Sequence, residues 1–183
     1  MDLEGAGRRP GAPRDEVDRI VEAWRRERPD LDVSPLEVLS RVSRLARHLD
    51  LARRAAFAEH GLEAWAFDVL SALRRAGAPY QLTPGRLVTS TLVTSGTMTN
   101  RVDRLLALGL VERHPAPGDR RGVLVRLTPA GAQRVDSAMA DLLDRERALL
   151  ARLAPEQRTA LADVLRALTS GFDDPRTSDP AEP

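Results

Sequence analysis

Apolar positions recur along most of this chain at spacings of three and four, the rhythm that lines side chains along one face of a helix. Val17, Ile20, Val21 and Trp24 form one such stripe on a short segment that ends before Pro29. Ser34, Pro35 and Glu37 then make a helix start, with Ser34 as the cap and Glu37 three residues on. Leu39, Val42, Leu45, Leu49, Ala52 and Ala56 hold the helical period for about six turns, longer than a small globule needs for its own core. Trp65, Val69 and Leu73, with Leu62, Phe67, Leu70 and Ala72 around them, predict the next helix, which stops at a turn containing Gly77 and Pro79.

Downstream the rhythm changes. Thr83 and Pro84 open a short helix reaching Ser90 or Thr91, and Ser95 caps a longer one that buries Met98, Val102, Leu105 and Leu106 and stops at a left-handed Gly109. Residues 110–114 (LVERH) and 122–128 (GVLVRLT) are β-rich and separated by PAPGDRR, which predicts a β-hairpin with an arginine-bearing tip. Thr128 and Pro129 start another helix, carrying Val135, Met139, Leu142, Leu143, Leu149 and Leu153. Beyond Pro155 a last helix shows Leu161, Val164, Leu165, Leu168 and Phe172 at one-face spacing. No repeat of fixed period occurs.

The order is helices, helix-turn-helix, hairpin, helices. The fold class expected is mainly α (α+β), a winged helix-turn-helix whose N- and C-terminal helices form a dimerisation region. The organisation reads as a flexible tail at 1–13, N-terminal helices (an additional helix plus a dimerisation helix) at 14–60, a winged helix-turn-helix lobe at 61–128, C-terminal dimerisation helices at 129–172, and a second flexible tail at 173–183. Both tails are rich in polar residues and proline and carry no apolar period.

Composition narrows the function classes. The chain contains no cysteine, which removes disulfides, thiolate metal sites and thiol-based redox sensing. With six aromatic residues in 183, the core is built of Leu, Val and Ala. No apolar run is long enough to span a membrane and the first residues lack the apolar block of a secretion signal, so a cytoplasmic protein is expected, with no membrane partner. The formal net charge is only +1, so any nucleic-acid surface must arise by local clustering. Residues 83–128 hold seven arginines against three acids, a local excess of +4.

That excess coincides with the two compact motifs. Thr97, Asn100, Arg101 and Arg104 face away from the buried stripe of the 95–109 helix and can hydrogen-bond to base edges or phosphates; Ser95 and Thr99 belong to the same candidate face. Such a face on an isolated helix is more often plain solvated surface. Its position after a short helix and before a basic hairpin matches groove docking instead. The hairpin tip, Asp119, Arg120 and Arg121, offers an arginine for the minor groove, with the aspartate available to orient it.

The stretch from Ser95 to Gly131, SGTMTNRVDRLLALGLVERHPAPGDRRGVLVRLTPAG, strongly resembles the MarR (multiple antibiotic resistance regulator) family. Asp119 and Arg121 match its D-x-R wing, Val125, Leu127 and Thr128 its V-x-L-T strand end, and TNRVDRLLALGLVER its recognition helix running into the wing. The resemblance implies a homodimer of winged helices, joined through its first and last helices, on a pseudo-palindromic double-stranded DNA operator. It implies no cofactor.

The segments VEAWRRERPDLDVSPLEVLSRVSRL and HGLEAWAFDVLSALRRAG further resemble the urate-responsive PecS/HucR-like subgroup. That resemblance implies a repressor released by a small anionic aromatic effector such as urate, with Trp24, Asp68 and Arg113 as its ligand residues. An anionic purine would pack on Trp24, attract Arg113 and repel Asp68. Plainer roles stand beside these: Trp24 as a helix anchor, Asp68 as a surface ion-pair residue, Arg113 as a phosphate contact. A phenolic or drug-like effector, or a winged-helix protein-interaction module without DNA binding, are the alternative readings. An enzyme is not expected. His48, His60 and His114 are scattered, and neither a phosphate-binding glycine loop nor a nucleophile motif occurs.

Overall fold

The structure is a computed structural model that describes residues 14–172, without the side chains of Asp119, Arg120 and Arg121. The tails expected at 1–13 and 173–183 lie outside the described residues. The elements run α1 (Glu16–Glu27), α2 (Ser34–Glu59), α3 (Ala64–Arg75), β1 (Gln81–Leu82), α4 (Pro84–Thr91), α5 (Ser95–Ala107), β2 (Val111–Ala116), β3 (Asp119–Leu127), α6 (Pro129–Leu150) and α7 (Pro155–Thr169). This is the mainly helical winged helix-turn-helix that the apolar pattern implied. The chain divides into two compact units, Met1–Arg54 and Ala55–Pro183.

In the first unit, α1 starts at a reciprocal capping box: Asp15 accepts from the Asp18 backbone N–H at 2.9 Å, and the Asp18 carboxylate accepts from the Asp15 N–H at 2.9 Å. Val17 and Val21 are buried with Val33, and Leu36 packs against them. Arg41 of α2 clamps the helix start, donating to Asp15 at 2.8 and 3.0 Å and to Asp18 at 2.8 Å. Ser34 is the first helical residue rather than the cap. Its N–H and hydroxyl both donate to Asp32, at 3.0 Å each, so the start signal lies two residues earlier than the Ser-Pro-x-Glu pattern suggested.

Arg41 first, and then the Asp18 backbone N–H, hold the Asp15 carboxyl down at about 2, below its ordinary 3.8. A carboxyl depressed in the folded state lends stability above its unfolded value and loses it as pH falls through the folded one. The contact is therefore expected to persist from neutral pH down to about 4 and to be lost as pH falls towards about 2. Trp24 emission, recorded in a Trp65→Phe background, should change in that window. A change near neutral pH, or none in acid, would show that something other than this clamp holds α1.

In the second unit α3 is the hub, with Val69, Leu70 and Leu73 wholly buried. Around them pack Leu87 of α4, Met98, Val102 and Leu105 of α5, Val125 and Leu127 of β3, and Val135, Ala138 and Leu142 of α6. Phe57 and Phe67 stack with centroids 3.9 Å apart. Arg74 grips Asp136 of α6 through two nitrogens at 2.9 and 3.1 Å, and His60 meets Asp141 at 2.6 Å.

The sheet is three-stranded and antiparallel in the order β1-β3-β2. β1, which the sequence reading missed, pairs Gln81 with Arg126 and Leu82 with Val125. Two residues are too few to show an alternating pattern. The hairpin is also longer than expected: Ala116 pairs with Asp119, so the turn shrinks to Pro117 and Gly118, and Gly118 takes a φ of 80°. Proline followed by a positive-φ glycine is what a type II turn requires.

Thr128 closes this unit. Its hydroxyl accepts from the Gly131 N–H at 3.0 Å and donates to the Gly109 carbonyl at 2.8 Å, while its N–H reaches the Leu110 carbonyl at 3.1 Å. One residue thereby caps α6 and fastens the end of α5. α7 ends at Thr169, short of Phe172, and contributes no buried residue; Leu161, Val164, Leu165 and Leu168 are all exposed. Val38, Leu39, Val42 and Leu45 of α2 are exposed as well. Among the described residues no helix is long and apolar enough to cross a membrane.

Candidate nucleic-acid interface

Thr83 caps α4 by accepting from the Arg86 N–H at 3.3 Å, and Pro84 occupies the first turn, where its missing N–H costs nothing. Thr89, Ser90 and Thr91 turn their hydroxyls back onto the carbonyls of Gly85, Arg86 and Leu87 at 3.2, 2.7 and 2.8 Å. The helix then breaks at Leu92, whose φ of 52° and 92% exposure mark the tip of the turn.

The cap of α5 is Thr94, in extended conformation, and not Ser95, which is the first helical residue. Thr94 accepts from the Thr97 N–H at 3.3 Å, and the two hydroxyls lie 2.9 Å apart. Met98, Val102 and Leu105 hold one face of α5 in the core. The opposite face carries the polar residues that the sequence marks as candidate DNA contacts. Ser95, Thr97, Thr99 and Asn100 are exposed, and Thr99 donates to the Ser95 carbonyl at 3.1 Å. Thr97 is partly committed to the cap. Arg101 is half-buried and Arg104 exposed.

Two residues that no sequence motif assigns to this face, Trp65 of the α3 stripe and Glu63, stand beside these arginines. The Trp65 ring lies under both guanidiniums, with Arg104 4.5 Å and Arg101 5.9 Å from the ring centroid. Glu63, the residue preceding α3, forms an ion pair with Arg104 at 2.5 Å. The Trp65 indole N–H is shielded from solvent and meets no acceptor in hydrogen-bonding geometry. Its proximity, followed by that of Arg104, nevertheless holds the Glu63 carboxyl below the usual carboxylate range. Only the apolar stripe of α3 was visible in the sequence; that the first position of this stripe half-emerges beside α5 is a consequence of packing.

The wing follows directly. Asp119, Arg120 and Arg121 begin β3 just past the Pro117–Gly118 turn, and their side chains lie outside the described residues. Of the residues implied as ligand contacts, Arg113 on β2 pairs with Asp103 of α5 at 2.7 Å. Asp68 stands on the exposed face of α3 and Trp24, 47% exposed, on α1 in the first unit. Among the described residues no group of three or more metal-ligating side chains occurs.

A short helix, a tight turn, a second helix with a polar outer face and an antiparallel hairpin define a winged helix-turn-helix DNA-binding regulator. Comparison with known proteins agrees. A model of the MarR family matches residues 60–122. The HTH-type transcriptional regulator PecS of Dickeya dadantii is 39% identical over 150 residues, 82% of this chain and 90% of the relative. The HTH-type transcriptional repressor NicR of Pseudomonas putida is 32% identical over 142 residues, covering 75% of this chain and 88% of the relative. The solved structure of Bordetella bronchiseptica BpsR, whose DNA binding is regulated by 6-hydroxynicotinic acid, superposes with a TM-score of 0.55 at 30% identity, over 70% of this chain and 92% of that one. The chain belongs to the MarR family of transcriptional regulators.

Proposed function

We propose that the protein is a cytoplasmic, homodimeric repressor, acting by binding and not by catalysis, that leaves a pseudo-palindromic operator when a small aromatic anion binds. The observation that carries the DNA-binding reading is the polar outer face of α5, backed by a buried Met98–Val102–Leu105 face and flanked by the wing. In this reading Ser95, Thr97, Thr99, Asn100, Arg101 and Arg104 make up the face that α5 turns to the major groove, and Asp119, Arg120 and Arg121 reach the adjacent minor groove.

Dimerisation is supported by apolar stripes on both α2 and α7 that nothing in a single chain covers among the described residues. Because α7 has no buried residue, a Leu165→Glu, Leu168→Glu double variant is expected to fold and to sediment as a monomer. Persistence of the dimer would place the interface elsewhere.

The effector class is supported by the likeness to PecS and by the regulation of BpsR by a hydroxylated aromatic acid. An anion drawn to Arg113 would compete with Asp103, which lies on the recognition helix itself. Trp24 and Asp68 enter on resemblance, as the packing surface and the repelled carboxylate. The test is the affinity of the full chain for a duplex that it selects from a random-sequence pool, measured across titrations of urate and of 6-hydroxynicotinate. A weakening of about 5- to 150-fold is expected from one of the two. Unchanged affinity with both would remove the effector class, and failure to bind any duplex at low ionic strength would remove the DNA reading.

A further inference from the structure

The residues at the start of α3 treat the two arginines of the recognition helix differently. Both guanidiniums lie within the roughly 6 Å over which a ring face attracts a cation, yet they are not equivalent. Arg104 is neutralised by Glu63, whose carboxyl is held firmly ionised. Arg101, one turn nearer the helix N-terminus, meets no carboxylate among the described residues. The acid closest to it in sequence on α5, Asp103, is engaged by Arg113. In groove-docked helices the N-terminal positions reach base edges, so the unneutralised arginine is the one on the reading side.

We infer that Glu63 and Trp65 sort the two arginines and thereby set the ratio of specific to non-specific DNA affinity. Trp65 acts as a positioning residue. Its ring restricts the guanidinium of Arg101 before DNA arrives, so fewer rotamers are lost on forming a base contact. Glu63 draws Arg104 back against the body of the lobe and cancels its charge. Sequence-independent binding grows with every cation free to displace counterions from phosphates, whereas base contacts add discrimination. Quenching Arg104 while presenting Arg101 lowers the first term and preserves the second. An exposed ion pair adds little to folding stability, so the function of Glu63 is separable from the fold.

The inference rests on Arg101 contacting bases, and the experiment separates the two claims. Full-length wild type, Glu63→Gln, Trp65→Leu, Trp65→Phe, Arg101→Ala and the Trp65→Leu, Arg101→Ala double variant are titrated by fluorescence anisotropy against the pool-selected duplex and a random duplex over a range of salt. Glu63→Gln is expected to tighten random-duplex binding several-fold at low salt and steepen its log–log salt slope by about one per protomer, with the specificity ratio falling. Trp65→Leu should weaken the selected duplex by roughly 2- to 30-fold and leave the random duplex unchanged, Trp65→Phe recovering part of the loss. In the Arg101→Ala background Trp65→Leu should have no further effect. Multiplying losses in the double variant, or an unchanged salt slope for Glu63→Gln, would overturn the sorting while leaving Arg101 as a reader. Equal losses on both duplexes in Trp65→Leu would mark a structural role and overturn it too. Wild-type affinity in Arg101→Ala would overturn the reader and the sorting together.

Discussion

Gly131→Ala is expected to cost about 3 kcal/mol or more of unfolding free energy, a large part of what holds a domain of this size together. A Cβ built at this position would lie 2.0 Å from the Leu110 carbonyl oxygen, 3.0 Å from its carbon and 3.1 Å from Leu127 Cδ1. The first two are backbone atoms and cannot swing aside. Leu110 is fixed by its own N–H to Leu105 at 3.0 Å and by the Thr128 N–H on its carbonyl, so relief would have to displace the α5–β2 junction. Urea unfolding measures the loss, with Gly85→Ala as the control: a Cβ there meets nothing within 4 Å, and alanine in a helix is neutral or favourable. Equal midpoints for the two variants would mean that α6 does not pack as closely on the wing base as these distances require. The glycine between Ala130 and Ala132 is therefore a packing requirement and not a conformational one.

Arg101→Ala should weaken binding to the selected duplex by roughly 30-fold or more while leaving the oligomeric state and thermal midpoint unchanged. A base contact by arginine discriminates by about 1–3 kcal/mol, and a dimer would use it twice. Arg101 is half-buried beside Trp65 but is no part of the core cluster, so truncation removes a contact without opening a cavity. The loss should be concentrated on the selected duplex. A uniform loss on all duplexes, with the salt slope reduced by about one per protomer, would identify Arg101 as a phosphate contact.

Much of this architecture was legible because each signal was local and repeated. Met98, Val102 and Leu105 gave the buried face of α5, Gly109 gave its left-handed end, and Thr128-Pro129 gave the start of α6, all through short-range chemistry. β1 was not legible: Gln81 and Leu82 are a strand only because β3 offers them partners, 43 and 45 residues away in register terms, as Leu82 with Val125 and Gln81 with Arg126. The caps slipped for a related reason. Ser34 and Ser95 are good capping residues, but Asp32 and Thr94 stand just before them and supply the oxygen that the first turn uses.

The candidate site divides along the same line. Thr97, Asn100, Arg101 and Arg104 followed from helical phase alone, since a buried stripe dictates what lies opposite. The company they keep did not: Glu63 is 41 residues from Arg104 in the chain, and its pairing depends on how α3 crosses α5. Arg113 was singled out by resemblance to a family, and its tie to Asp103 adds a partner that no spacing rule would supply.

Thr128, bonded at once to Gly109 and Gly131, has a mechanical consequence for control of the regulator. With its far end fastened through Thr128 to the root of α6, α5 has no hinge of its own. Under the proposed function, a swing of α5 would carry α6 along with it, so an effector bound to a dimer would alter the distance between its two DNA-binding lobes more readily than it would bend one lobe.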